Sequence, residues 1–138
     1  MNKKGFTLVE ILSTIVLIAL LLGLGIPGVM KISDNMKKRA YNTKVDLIEQ
    51  AAGLWGQDNK TRLQSDDCNI DGKEYKCKKI SIDNLIGDDY LEADGKDGSN
   101  NYIYTNPETD KNIINCEVFV YKKNNRVYAH FDKENCNP

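Results

Sequence analysis

An apolar run of about 20 residues, Ile11 to Met30, stands near the start of the chain, and between Lys4 and Lys31 the only charged side chain is Glu10. At 1.5 Å per residue, about 25 helical residues exceed the roughly 30 Å of a bilayer core. Residues 6–30 are therefore expected to form a transmembrane helix, preceded by a short basic leader at residues 1–5, Met1-Asn2-Lys3-Lys4-Gly5. A secretory signal would have an apolar core of about 7–15 residues, shorter than this one. A lipoprotein signal is excluded because no cysteine precedes Cys68. A plain single-pass anchor fits the length but not Glu10. A carboxylate inside a membrane segment costs about 2.5–3.5 kcal/mol on insertion scales and is functional by default. A buried charge is tolerated only when it is paired. A cut after Gly5 would give Phe6 a new α-amine four positions before Glu10. The carboxylate could pair with that amine, or with the amine of a neighbouring copy.

The stretch Lys3-Lys4-Gly5-Phe6-Thr7-Leu8-Val9-Glu10 closely resembles the cleavage site of type IV prepilins and pseudopilins. The likeness extends through the apolar run, with Pro27 where these helices commonly carry a proline. It implies an aspartic prepilin peptidase that cuts between Gly5 and Phe6 and N-methylates Phe6. It also implies that Glu10 neutralises the Phe6 amine of an adjacent subunit during assembly. The expected partners are other copies of the chain and related pilins, the peptidase, membrane lipid, and an inner-membrane assembly platform with a separate ATPase. The expected location is a single-pass membrane precursor with a cytoplasmic N-terminus, then an extracellular filament or envelope-spanning pseudopilus. Basic flanks mark the cytoplasmic side, and Lys31, Lys37, Lys38 and Arg39 beyond the run argue for the inverse orientation. The cleavage motif and the cysteines outweigh that count.

Beyond the run, Ile32, Met36, Ala40, Thr43, Leu47, Ala51 and Leu54 recur at three- and four-residue spacing, with Ile48 widening the stripe. This predicts an amphipathic continuation of the helix over residues 31–57, weakened near its end by Gly53 and Gly56, with Trp55 packing there. Gly23, Gly25, Pro27 and Gly28 form a helix-weak segment, because proline costs about 3 kcal/mol and glycine about 1 in a helix interior. A kink or tight packing in lipid competes there with a segment that unwinds in the filament.

Residues 58–138 read as a polar, turn-rich head stapled by disulfides. Ser81 is the expected N-cap of a short helix through Ile86, followed by Tyr90 and Leu91 docking on the core. Glu117–Tyr121 and Val127–Phe131 form a β-hairpin around Asn124-Asn125, and Tyr102-Ile103-Tyr104 a third strand. The fold class is α+β: a long N-terminal helix packed on a small antiparallel sheet, the organisation the family resemblance also implies. Asp94–Asn101 is a solvated turn, with calcium as the alternative.

All four cysteines, Cys68, Cys77, Cys116 and Cys136, follow the apolar run. Of the three pairings available, the nearest-neighbour loops Cys68–Cys77 and Cys116–Cys136 are expected. The first would close a turn at Asp71-Gly72 and the second would bracket the terminal hairpin. The second bracket resembles the disulfide-bound C-terminal loop of type IV pilins. Zinc is the competing use, but no C-x-x-C spacing occurs and the single histidine, His130, sits in mid-strand. Disulfides place the head outside the cytoplasm.

With 19 basic and 20 acidic residues, the chain lacks the basic profile of a dedicated nucleic-acid binder. Lys37-Lys38-Arg39 reads as a solvated helix face, and DNA stays an unsupported partner. No phosphate loop, zinc motif or nucleophile arrangement is visible, so no enzyme, metal or cofactor is expected. Three functions follow: a pilus subunit, a pseudopilin of a secretion or DNA-uptake machine, and a membrane-anchored binding domain that never polymerises.

Overall fold

The computed structural model describes residues 5–136, and within the first helix it does not describe the side chains of residues 24–30. Residues 1–4 of the leader, Lys3 and Lys4 among them, therefore lie outside the described residues. So do the surroundings of Gly25, Pro27 and Gly28. The backbone of that segment is helical, within a helix α1 assigned to Leu8–Asp58. The chain divides into two compact units, Met1–Lys37 and Lys38–Pro138.

In the first unit every described residue is exposed. Leu8, Val9, Ile11, Leu12, Ile15, Val16 and Leu17 spread around the helix, each at least half exposed. A helix that is apolar all round is made for lipid or for other helices. Among the described residues no helix is long and apolar enough to cross a membrane; in the sequence the apolar run continues through residues 24–30.

The second unit is an antiparallel sheet on a helix. Its strands are β1 (Asp66–Ile70), β2 (Lys73–Ser81), β5 (Glu117–Lys123) and β6 (Arg126–Phe131), in the order β1-β2-β5-β6. A 3-10 turn, Lys60–Arg62, leads from α1 toward the sheet, and α2 (Ile82–Gly87) follows β2 directly. A separate two-stranded sheet pairs β3 (Gly95–Lys96) with β4 (Tyr102–Ile103). Both long hairpins close through two-residue turns with positive φ: Asp71 at 51° and Gly72 at 78°, Asn124 at 49° and Asn125 at 63°. Such turns match the right-handed twist of paired strands. Ser81 caps α2, its hydroxyl accepting the backbone N–H of Asn84 at 3.2 Å.

The core lies between the sheet and one stripe of α1: Val45, Ile48, Ala52 and Trp55 against Ile80, Val118, Val120 and Phe131, with Leu63, Ile82, Leu85 and Ile113 filling the ends. Tyr41, Tyr90 and Leu91 pack against it half-buried. The expected stripe is thus displaced by about one residue, or 100° around the helix. Of the residues predicted to face the head, Ile48 and Ala51 are buried, while Leu47 is 48% exposed, Leu54 56% and Met36 64%. Two apolar stripes lie side by side on α1. The one carrying the aromatic rings of Tyr41 and Trp55 has more surface to bury and takes the sheet.

Two further expectations are corrected. Tyr102-Ile103 does not join the terminal hairpin as a third strand, because it pairs with Gly95-Lys96. The hairpin's neighbour is β2, in the register Cys77↔Tyr121 to Ser81↔Glu117, within a stretch read from the sequence as turns.

Both disulfides are formed. Cys68–Cys77 crosses the β1–β2 hairpin diagonally with Cα atoms 6.0 Å apart. Cys116–Cys136 ties the entry of β5 to the tail after β6 at 5.3 Å. Cys68, Cys77, Ile70 and Phe119 make a second small apolar cluster on the sheet face away from α1.

Candidate processing and assembly site

Gly5, Phe6 and Thr7 are non-helical and exposed. A Cβ added at Gly5 would meet no described atom within 4 Å, and Gly5 and Phe6 are both exposed. Helix α1 begins just beyond it, and the start is built by Thr7. Its carbonyl accepts the first helical hydrogen bonds, from Glu10 N at 3.1 Å and Ile11 N at 3.2 Å. Its hydroxyl also accepts the Glu10 N–H at 3.3 Å, and Glu10 Oε2 accepts the Thr7 N–H at 3.1 Å. This reciprocal pair is a capping box, which satisfies two backbone donors that a helix end otherwise leaves unpaired. Thr7-x-x-Glu10 is its sequence signature, which gives Glu10 a structural role beside its charge.

The other polar groups of the run are also satisfied locally. The Ser13 hydroxyl donates to Val9 O and the Thr14 hydroxyl to Glu10 O, each at 2.7 Å. Hydroxyls that bond back to the preceding turn are compatible with a membrane, where nothing else supplies a partner. Of the helix-weak residues, Gly23 stands in open space within continuous helix.

The head holds its polar groups in structural bonds. The Lys44 ammonium pairs with Asp94, donates to Thr105 O at 2.8 Å, and lies 4.3 Å from the Tyr104 ring centroid. Burial, reinforced by the Asp94 charge, pushes the Tyr104 phenol up to about 12. Asp97, weighed as a calcium ligand, instead accepts the N–H groups of Ser99 and Asn101 and the Asn101 side-chain amide. Those bonds, Asn101 foremost, hold its carboxyl below the usual range. Among the described residues no group of three or more His, Cys, Asp or Glu is arranged to hold a metal ion. His130 sits opposite Phe119 on the outer sheet face, beside Tyr128 opposite Tyr121.

Residues 1–26 match the family model for the prokaryotic N-terminal methylation motif. The chain is also similar to a ComG operon protein 3 homologue of Bacillus licheniformis, 30% identical over 93 residues, covering 61% of this chain and 94% of that protein. No solved structure matches.

Proposed function

Since the chain belongs to the type IV pilin and pseudopilin family, we propose that it is a structural subunit of a type IV pilus-like filament, inserted in the membrane as a precursor, cut after Gly5 and assembled through its N-terminal helix. One observation carries this. An exposed, non-helical Gly5–Phe6 link lies inside the methylation motif, immediately before a helix that is apolar on every side and carries Glu10 near its start.

The roles follow from that arrangement. Hydrolysis of the Gly5–Phe6 bond frees the basic leader and leaves an amine on Phe6. That amine and Glu10 are opposite charges that must both be buried when helices pack. Pairing between neighbouring copies offsets the cost of desolvating each. The peptidase, the assembly platform with its ATPase, and related pilins are the partners of this scheme. The precursor lies with its N-terminus in the cytoplasm, and the disulfide-stapled head lies outside.

Three measurements test it. Gly5→Val, whose Cβ would meet no described atom within 4 Å, should fold normally but remain an uncut precursor. Mass spectrometry of the unmutated mature protein should find methylated Phe6 first, and any other start refutes the processing step. Glu10→Leu should be inserted, cut and disulfide-bonded, yet give few sheared filaments when it is the only copy present. Undiminished filaments would remove the role given to Glu10. The second reading, a pseudopilin of a secretion or DNA-uptake (competence) machine, takes its support from the ComG operon relative. Electron microscopy separates long surface filaments from short envelope-spanning ones.

A further inference from the structure

We infer that the two edge strands of the head are complementary halves of a contact between copies: β1 of one copy pairs antiparallel with β6 of the next, in the register Asn69↔Val127 and Asp67↔Ala129. The partner is a second copy of this chain. The inference rests on the filament reading and adds to it a surface on the head.

The sheet order β1-β2-β5-β6 leaves one side of β1 and one side of β6 without a strand. Such edges are templates for pairing with another chain. The turns decide which groups face outward. Ile70↔Lys73 and Lys123↔Arg126 close two-residue hairpins, and a closing pair exchanges its bonds within the hairpin. Bonded pairs alternate along an antiparallel ladder. Asp67 and Asn69 therefore direct their N–H and C=O groups away from β2, and Val127, Ala129 and Phe131 direct theirs away from β5. Two bonds confirm this parity on β6. Asp132 N–H donates inward to Glu117 O at 3.4 Å, and Phe131 N–H donates outward to Glu49 Oε1 at 3.0 Å. Among the described residues, the N–H groups of Asp67, Asn69, Val127 and Ala129 have no side-chain or loop partner.

One antiparallel register matches all of these groups. With Asn69 opposite Val127 and Asp67 opposite Ala129, each pair exchanges both of its bonds. A shift of two residues either way loses one pair. In that register β1, Asp66–Ile70, spans His130 back to Arg126, and Phe131 lies just past its end. Phe131 thus carries the outward N–H that a neighbouring β1 would not reach, and it is the one that Glu49 caps. Charge agrees with the register. Asp66 comes opposite His130, and Arg126 comes beside the turn at Asp71. Pairing β1 with β1 would instead set aspartates against each other. Tyr128, 41% exposed, comes opposite Cys68. Strand direction fits as well. Every neighbouring pair in the sheet is antiparallel, so β1 and β6 run in opposite directions, and copies standing the same way up bring them together antiparallel. This contact uses a different surface on each partner, so it repeats from copy to copy instead of closing as a two-fold dimer does.

Amide hydrogen exchange of the unmutated, oxidised full chain reads the contact. In detergent micelles the N–H groups of Asp67, Asn69, Val127 and Ala129 should exchange freely. In sheared filaments they should slow by about tenfold or more, with Phe131 little changed. Filaments in which these amides stay fast would overturn the inference. Cross-linking reads the register. Opposed residues of a non-bonded pair have Cα atoms about 4.5 Å apart, within the span of a disulfide. The double variant Asp66→Cys, His130→Cys should therefore give a ladder of linked chains from mildly oxidised filaments on a non-reducing gel. Within one copy β2 and β5 stand between these two positions. Asn69→Cys with His130→Cys, whose side chains lie on opposite sheet faces in that register, should give few links. Filaments of the first variant without a ladder, or equal ladders from both variants, would overturn the inference. If the cysteine variants fail to fold, exchange in the unmutated chain decides alone. An unmutated chain that forms no filaments would overturn the filament reading and this inference with it, whereas filaments with unprotected edges overturn this inference only.

Discussion

Gly56 is the position where sequence intuition and structure give opposite signs. It lies inside α1, where alanine is preferred to glycine by about 1 kcal/mol. On propensity alone, Gly56→Ala stabilises the protein. In the fold, a Cβ at Gly56 would lie 2.4 Å from Val120 Cγ1 and 2.7 Å from Val127 Cγ1. Carbon atoms settle near 3.5–4.0 Å. Neither valine can swing away cheaply, since β-branched side chains are stiff and Val120 is fully buried in β5. Either the helix lifts from the sheet by about 1 Å or the valines leave their rotamers. Overpacking of this kind costs about 1–3 kcal/mol. Set against the helical gain of about 1 kcal/mol, the net is a loss of about 1–2 kcal/mol at the upper part of that range.

Gly53, three positions earlier in the same helix, is the control. Its added Cβ would meet nothing within 4 Å, so Gly53→Ala should gain up to about 1 kcal/mol. Thermal unfolding of the oxidised full chain in detergent, followed by Trp55 fluorescence, reads both. Trp55 is the one tryptophan of the chain and is buried beside the site. At about 4–8 °C per kcal/mol for a domain near this size, Gly56→Ala should lower Tm by roughly 5–15 °C and Gly53→Ala should raise it by a few degrees. If both variants raise Tm, the close approach of α1 to β5 and β6 is wrong. Val127→Ala should also cost less in Gly56→Ala than alone, because it relieves part of the clash.

Replacing Cys116 and Cys136 together by alanine should cost about 3 kcal/mol on the loop-entropy estimate. Non-reducing peptide maps of the unmutated protein should show only Cys68–Cys77 and Cys116–Cys136. The raised phenol of Tyr104, about 12 in the fold against about 10 unfolded, means that the native state holds a proton the unfolded chain has lost. Stability should therefore fall as pH rises from about 10 to about 12, by about 2 kcal/mol from this group. Denaturant titrations of Tyr104→Phe should show a shallower fall, and an unchanged slope would count against the burial argument.

The elements legible in the sequence are those with a local cause. Asn124-Asn125 announces its hairpin because both residues accept positive φ, and Ser81 announces α2 because its hydroxyl can reach Asn84 N–H. Strand β2, with Lys73, Lys76, Lys78 and Lys79 among its nine residues, has no such cause. It is a strand because β1 and β5 pair with it on both sides, a reason that lies outside the segment. The phase of α1 was ambiguous for a similar reason. Periodicity finds apolar stripes but cannot say which one the sheet will choose. At the N-terminus the motif was readable residue by residue. The capping box needed only the further observation that Thr7 and Glu10 stand three positions apart.

The hydrogen-bonding capacity of the first unit shows why Glu10 differs from its polar neighbours. Ser13 and Thr14 spend their hydroxyl protons on carbonyls one turn back, so burying them among other helices leaves no donor unsatisfied. Glu10 cannot be completed in this way. An ionised carboxylate offers about four acceptor sites, and among the described residues Oε2 accepts one backbone N–H, that of Thr7. Beyond the first turn each N–H of an α-helix is committed to a carbonyl, which leaves only the N–H groups of the first turn as further donors within the helix. Its remaining capacity can be met by water at a membrane surface or by a donor from another molecule, and packing between helices removes the water. A terminal amine supplies several N–H donors and the opposite charge together. Glu10 lies four positions after Phe6, so under the proposed cut after Gly5 the residue with unmet acceptor capacity is the one placed to meet the new amine of a neighbouring copy.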